Sequence, residues 1–410
     1  MNTTPTDRST LRLDQALTRA WDANQSVVLT GNTTDRVVAG DGSPRALRYH
    51  LAALAGERGA GCVLALMGGC RQLPLPGEAM LPLHLPDPES SIDVLVNDLL
   101  TEATRSRTSL IILFEYADLL LPVASHGASS PATNKALELM AEFAIAPERG
   151  RDGHRLVIVA KTTAVDERLT RLPGFTAIDV ELPDVGERRA LLNRALMPES
   201  GPPMKLADGL TAETFANLSG GLQLNDLVLA RQESLHGRDI GRDWVQSQKV
   251  AALRRVAGDS LTVYPPGNGL EDVAGLPQLR RITQEALATG TPPRRLLLCG
   301  PPGVGKTLCV TSVADELGLP ATALGSVRSM WLGESERNMR RVMDAVTALA
   351  PALLHIDEID QALGQRQTGQ SADGGTSERL MADIMTFLGS NNGPRVTVIG
   401  TSNRPDLLDP

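Results

Sequence analysis

The sequence predicts an α/β protein: two P-loop-type, three-layer αβα modules with parallel sheets, the first followed by a helical lid. Three observations carry this. Short runs of Leu, Val and Ile alternate with longer amphipathic segments, as a parallel sheet covered on both faces requires. One such run, Leu-Leu-Leu-Cys at 296–299, enters Gly300-Pro301-Pro302-Gly303-Val304-Gly305-Lys306-Thr307, a G-x-x-x-x-G-K-T loop. The element order of the second half is also repeated in the first.

Composition sets the limits. At 410 residues the chain is long for one core and suggests two or three domains. A net charge of −8 with scattered arginines argues against a nucleic-acid partner, which needs a clustered basic face. Cys62, Cys70, Cys299 and Cys309 lack C-x-x-C spacing and read as small apolar residues in a reducing compartment. The start is polar, without the apolar core of a signal peptide. The longest apolar stretch, 110–123, is broken by Glu115 and Asp118, so no membrane span is expected. A cytoplasmic location follows.

In the second half, strands are predicted at 295–299, 321–324, 352–356 and 396–399, with helices at 307–317, 334–350 and 377–388. The first half repeats this with strands at 26–30, 61–67, 110–114, 155–159 and 177–182 and helices at 44–59, 91–106 and 134–144. The stretch 71–90, with five prolines, reads as a surface loop. Asp118 to Thr163 spans 45 residues, against 43 from Asp360 to Asn403, which pairs Thr163 with Asn403. Residues 183–262 are helical in pattern, at 183–196, 212–218, 223–235 and 244–256, and read as a lid. The expected domains are 1–182, a degenerate module; 183–262, the lid; and 263–410, the nucleotide-binding module, with a linker at 262–269.

The chemistry lies in the second module. In the loop Gly300, Pro301, Pro302, Gly303, Val304 and Gly305 the glycines let consecutive backbone N–H groups converge on an anion. Lys306 reaches the terminal phosphates, Thr307 offers a hydroxyl to Mg²⁺, and the helix that follows points its positive end at the charge. ATP and Mg²⁺ are the expected ligands. Downstream, Leu353-Leu354-His355-Ile356-Asp357-Glu358 is an apolar strand ending in two carboxylates: Asp357 for the metal and its hydration shell, Glu358 to polarise the attacking water. Asn403, after another strand, is placed to hydrogen-bond that water or the γ-phosphate. In the first module, Gly31-Asn32-Thr33-Thr34-Asp35-Arg36-Val37 occupies the cradle position without the lysine, and Tyr116 takes the place of the base. A phenol of ordinary pKa about 10 is no base at neutral pH, so this module reads as structural, the alternative being one that binds a nucleotide without hydrolysing it.

The second module resembles the AAA ATPases of the clade that includes the valosin-containing protein, katanin, spastin and the membrane-bound AAA proteases. The matching pieces are Asp272-Val273-Ala274-Gly275, the cradle, Met330-Trp331-Leu332-Gly333-Glu334-Ser335-Glu336, the acidic strand, and 400–410. The resemblance implies that Asp272 and Gly275 help bind the nucleotide. It also implies a ring of six identical subunits whose Trp331-Leu332-Gly333 loops line a pore and grip a protein substrate, with 364–375 as a second pore loop. Relatives continue beyond Asp409-Pro410 into arginine fingers and a further lid. The chain as it stands is therefore expected to turn ATP over slowly, as a portion of a longer ATPase or a variant without turnover. The leading expectation is an ATP-hydrolysing motor that remodels or unfolds proteins. Its rival is a nucleotide-binding scaffold or regulator with little turnover.

Overall fold

The computed structural model describes residues 8–39, 42–66, 69–74, 80–121, 130–146, 153–160, 174–197, 201–207, 209–257, 261–265, 269–289, 291–324, 343, 346–347, 349–360, 396–404 and 406. By its packing the chain divides into two compact units. The first holds residues 1–195 and 223–227, the second 196–222 and 228–410.

The first unit is built on a six-stranded sheet. Its strands are β1 (Ser26–Gly31), β4 (Gly61–Leu66), β5 (Gly69–Leu73), β6 (Leu110–Glu115), β7 (Arg155–Val159) and β8 (Phe175–Val180), ordered β5-β4-β6-β7-β1-β8. All pairs are parallel except β4–β5. Alternate strand residues feed two cores, as a sheet buried on both faces demands. Val28, Ile112, Phe114 and Ile158 meet α3 (Ile92–Arg105) and α5 (Pro131–Ile145); Val27, Leu29, Leu113, Val157 and Val159 meet α1 (Arg8–Asp22) and α2 (Leu47–Glu57). Helix α4 (Ala117–Leu120) is a single turn after β6.

The second unit carries β9 (Leu261–Val263), β10 (Arg295–Cys299), β11 (Ala321–Leu324), β12 (Ala352–Ile356) and β13 (Val396–Ser402), ordered β10-β13-β12-β11-β9. Only β9 is antiparallel. Helices α10 (Pro277–Thr289) and α11 (Lys306–Leu317) bury Leu279, Val310 and Val313 with Leu353 and Ile399 against one face. The lid segment comprises α6 (Val185–Leu196), α7 (Ala212–Leu218), α8 (Leu224–Leu235) and α9 (Arg242–Ala257). Of these, α6 falls almost wholly in the first unit, and α7, α9 and most of α8 in the second. Within the second unit α9 sits at the strand-entry end of the sheet: Lys249 Nζ donates to Pro351 O at 2.9 Å and Gln246 Nε2 to Leu319 O at 3.3 Å.

The α/β fold with mainly parallel sheets is as expected, and β7, β10, β11 and β12 have the expected bounds. The departures are local. Residues 44–46, expected as the start of a helix, form β3 (Pro44–Ala46), which pairs with β2 (Arg36–Val38) as a hairpin. Helix α2 begins only at Leu47. The first residues of the 71–90 stretch, expected as loop, complete β5, a short edge strand. Helix α1 was not expected, although Leu13, Leu17, Ala20 and Trp21 recur at helical spacing and are all buried.

The internal repeat is visible strand for strand. The shared order (β1, β7, β6, β4 against β10, β13, β12, β11) and its registers equate Gly31 with Gly300, Glu115 with Asp357 and Tyr116 with Glu358. Tyr116 at φ 57° and Glu358 at φ 50° share the same left-handed exit from the strand. Counting on from that register, the counterpart of Asn403 is Lys161 rather than Thr163; both lie outside the described residues.

Candidate active site

Parallel strands deliver their carboxyl ends to one edge of a sheet, and the strand order decides which residues meet there. Strand β13 lies between β10 and β12. The cradle strand and the acidic strand are thus two spacings apart, about 10 Å, with Asn403 between them.

Gly303 and Gly305 take left-handed φ values of 80° and 85°, which turn the loop back on itself before α11 begins at Lys306. Lys306 folds into this loop: its Nζ donates to Gly300 O at 2.8 Å, to Pro301 O at 2.9 Å and to Asn403 Oδ1. Three oxygens thus surround the ammonium at the mouth of the loop. Pro301, Pro302, Gly303 and Val304 are exposed, as is Thr307, the second residue of α11.

On the acidic side, Asp357 Oδ1 accepts from the Glu358 N–H at 3.0 Å and from the Thr401 hydroxyl. Oδ2 has no hydrogen bond among the described residues. Asp357 and Glu358 are both exposed at the strand end. Below them, wholly buried His355 bonds Thr401 Oγ1 through Nε2 at 3.1 Å and the Tyr264 hydroxyl through Nδ1 at 2.7 Å. Burial pushes the Tyr264 phenol up to about 12, with the Asp357 carboxylate adding to it. Burial holds the His355 imidazole below its ordinary value, with Asp357 opposing. Sequence reading passed over His355, Thr401 and Tyr264. The signal was a histidine inside an otherwise apolar strand, two residues before Asp357.

The turn carrying Asp272 and Gly275 stands apart from this cluster. The 3₁₀ helix Gly269–Asp272 is tied down by Glu316 Oε2, which accepts from Leu270 N at 3.1 Å, ten residues and about 15 Å along α11 from Lys306. Gly275 has φ 75°. Trp331, Leu332, Gly333 and residues 364–375 lie outside the described residues.

In the first unit the corresponding positions are filled by the chain itself. Arg48, the second residue of α2 as Thr307 is of α11, pairs with Glu115 at 3.1 Å. Burial raises the Glu115 pKa, with Arg48 and Arg71 opposing. In the loop after β1, Asp35 accepts from Asn32 Nδ2 at 3.0 Å and from the backbone N–H groups of Leu224 and Asn225 at 2.9 Å each.

The model of the ATPase family associated with various cellular activities (AAA) matches residues 296–410, a span that starts in the cradle strand and takes in the acidic and Asn403 strands. The chain carries an AAA ATPase domain. It is 26% identical over 379 residues to the cell division cycle protein 48 homolog of Archaeoglobus fulgidus, covering 82% of this chain and 50% of that one. It is 30% identical over 301 residues to the peroxisomal ATPase PEX6 of Arthrobotrys oligospora, covering 62% and 25%. The chain thus spans half the length of one curated relative and a quarter of the other. Both are AAA proteins of the clade that the sequence pointed to. The matched span lies within the second unit and contains Lys306, Asp357, Glu358 and Asn403.

Proposed function

We propose that the chain is an ATP-binding and ATP-hydrolysing motor subunit that remodels polypeptides in the cytoplasm as a hexameric ring of identical subunits. The observation that carries this reading is the cluster of Lys306, Gly300, Pro301 and Asn403 beside Asp357 and Glu358. The donor set is hard and all-oxygen, a threonine hydroxyl and a carboxylate, which suits Mg²⁺ and fits no soft metal. Thr307 and Asp357 would hold it, and bound Mg²⁺ neutralises charge on the phosphates.

The chain's own residues do the rest. Gly303, Val304 and Gly305 present backbone N–H groups to the phosphates, and Lys306 exchanges its carbonyl partners for phosphate oxygens. Glu358 orients and polarises the water, while Asn403, already bonded to Lys306, registers the γ-phosphate. Trp331, Leu332 and Gly333 are proposed to grip substrate, with Asp272 and Gly275 at the nucleotide. No helix among the described residues is long and apolar enough to cross a membrane. A second reading, a nucleotide-binding scaffold with little turnover, is favoured by one observation: the Arg48–Glu115 pair closes the first module's site to that chemistry.

Lys306→Ala is expected to weaken ATP uptake about 10–100-fold by isothermal calorimetry, the worth of a charge-assisted phosphate contact. Undiminished uptake would overturn the assignment. Trp331→Ala is expected to abolish unfolding of a fluorescent model substrate while ATP uptake persists. Full unfolding by that variant would remove the threading mechanism and favour the scaffold reading.

A further inference from the structure

We propose that Tyr264, His355 and Thr401 form a buried tether that fixes one oxygen of Asp357 and leaves the other for the metal, making all three positioning residues for ATP hydrolysis. The inference rests on the reading that Asp357 serves the nucleotide site.

The direction of every hydrogen bond in the tether follows from donor and acceptor chemistry. An ionised carboxylate only accepts, so the single proton of the Thr401 hydroxyl is committed to Asp357 Oδ1. The Thr401 oxygen is then an acceptor, and the donor at 3.1 Å is His355 Nε2–H. A neutral imidazole has one N–H, so Nδ1 accepts, and the Tyr264 phenol at 2.7 Å donates to it. Each proton has one place. The Glu358 N–H adds a second bond to the same Oδ1 at 3.0 Å, so that oxygen is held from two sides.

The two modules act as each other's control. His355 and Thr401 are both wholly buried, where unbonded polar groups are costly. The shared register equates His355 with Leu113 and Thr401 with Val159, and both of these are buried and apolar. In that first module the residue equivalent to Asp357 is Glu115, held by Arg48 instead. The polar pair therefore occurs in the module with Lys306 and Thr307, and the apolar pair in the module without them. Packing alone is satisfied by Leu and Val at these positions, so the tether serves Asp357.

Partners that orient a metal's ligands typically change metal affinity 10–100-fold when removed. Mn²⁺ binding to the chain saturated with adenylyl imidodiphosphate, followed by electron paramagnetic resonance, reads this directly. Thr401→Val keeps the shape and removes the donor; its Mn²⁺ affinity is expected to fall about ten-fold. Thr401→Ser should keep wild-type affinity, and His355→Gln, whose amide N–H replaces Nε2–H, should stay closer to wild type than His355→Leu. Uptake of a fluorescent ATP in EDTA should be unchanged in Thr401→Val. Tyr264→Phe, at the half-buried end where folding is least at risk, should show a smaller fall in the same direction. Wild-type Mn²⁺ affinity in both Thr401→Val and Tyr264→Phe overturns the tether, whatever Lys306→Ala does. Nucleotide uptake undiminished in Lys306→Ala overturns the site itself, and the tether with it.

Discussion

Replacing Glu358 by Gln is expected to slow ATP hydrolysis about 10²–10⁴-fold, the usual contribution of a positioned general base, while ATP stays bound. The amide keeps the size and the hydrogen-bonding reach of the carboxylate, so the nucleotide pocket is undisturbed. What is lost is the charge that polarises water. Strand β12 ends at Ile356, so Asp357 and Glu358 leave the sheet together, and the left-handed turn at Glu358 points the two carboxylates to different tasks. Asp357 is held through Oδ1, whereas Glu358 is exposed. Single-turnover phosphate release, with nucleotide retained through gel filtration, measures both halves of the prediction. A Glu358→Gln chain that releases phosphate at the wild-type rate would remove Glu358 from the chemistry.

The same positions show how far a sequence can be read. Regular strands such as β6, β7 and β12 announced themselves because a sheet covered on both faces needs unbroken apolar runs. The cradle announced itself because its backbone needs glycine where φ is positive and lysine where the phosphates end. The edge strands β5 and β9 did not: they pair along one side only, so their composition follows solvent as much as the sheet. Contacts between segments distant in sequence were also hidden. Tyr264 and His355 are 91 residues apart, Asp35 and Leu224 189. The absence of a lysine from the loop at 31–37 was legible as a departure from the cradle of the second module. The Arg48–Glu115 pair and the bonds of Asp35 to Leu224 and Asn225 depended on side chains meeting across the fold.

Asp35→Ala is expected to cost the first unit about 3 kcal/mol, from the loss of a helix cap and the orphaning of buried donors. Asp35 is almost fully buried, and its carboxylate receives the first two N–H groups of α8, which have no partner within their own helix. Around it, Gln223 Nε2 donates to Asn32 Oδ1 at 2.7 Å, Arg36 Nε to Asn225 Oδ1 at 3.0 Å and Asn225 Nδ2 to Thr34 O at 3.1 Å. A protein carboxylate thus binds this helix N-terminus within the unit, as an external anion would. The contact needs no nucleotide. Hydrogen exchange at the Leu224 and Asn225 amides should therefore be slow in wild type with or without ATP, and fast in Asp35→Ala. Burial raises the Asp35 pKa, with the bonds from Asn32, Asn225 and Leu224 opposing it. The sign follows: the stability that protonation adds is complete below the ordinary aspartate value of 3.8 and is lost as pH rises through the higher folded value. Asp35→Asn should flatten that slope in denaturant titrations at successive pH values. Protection at Leu224 that appears only when ATP is added would mean that the first module still closes on a nucleotide.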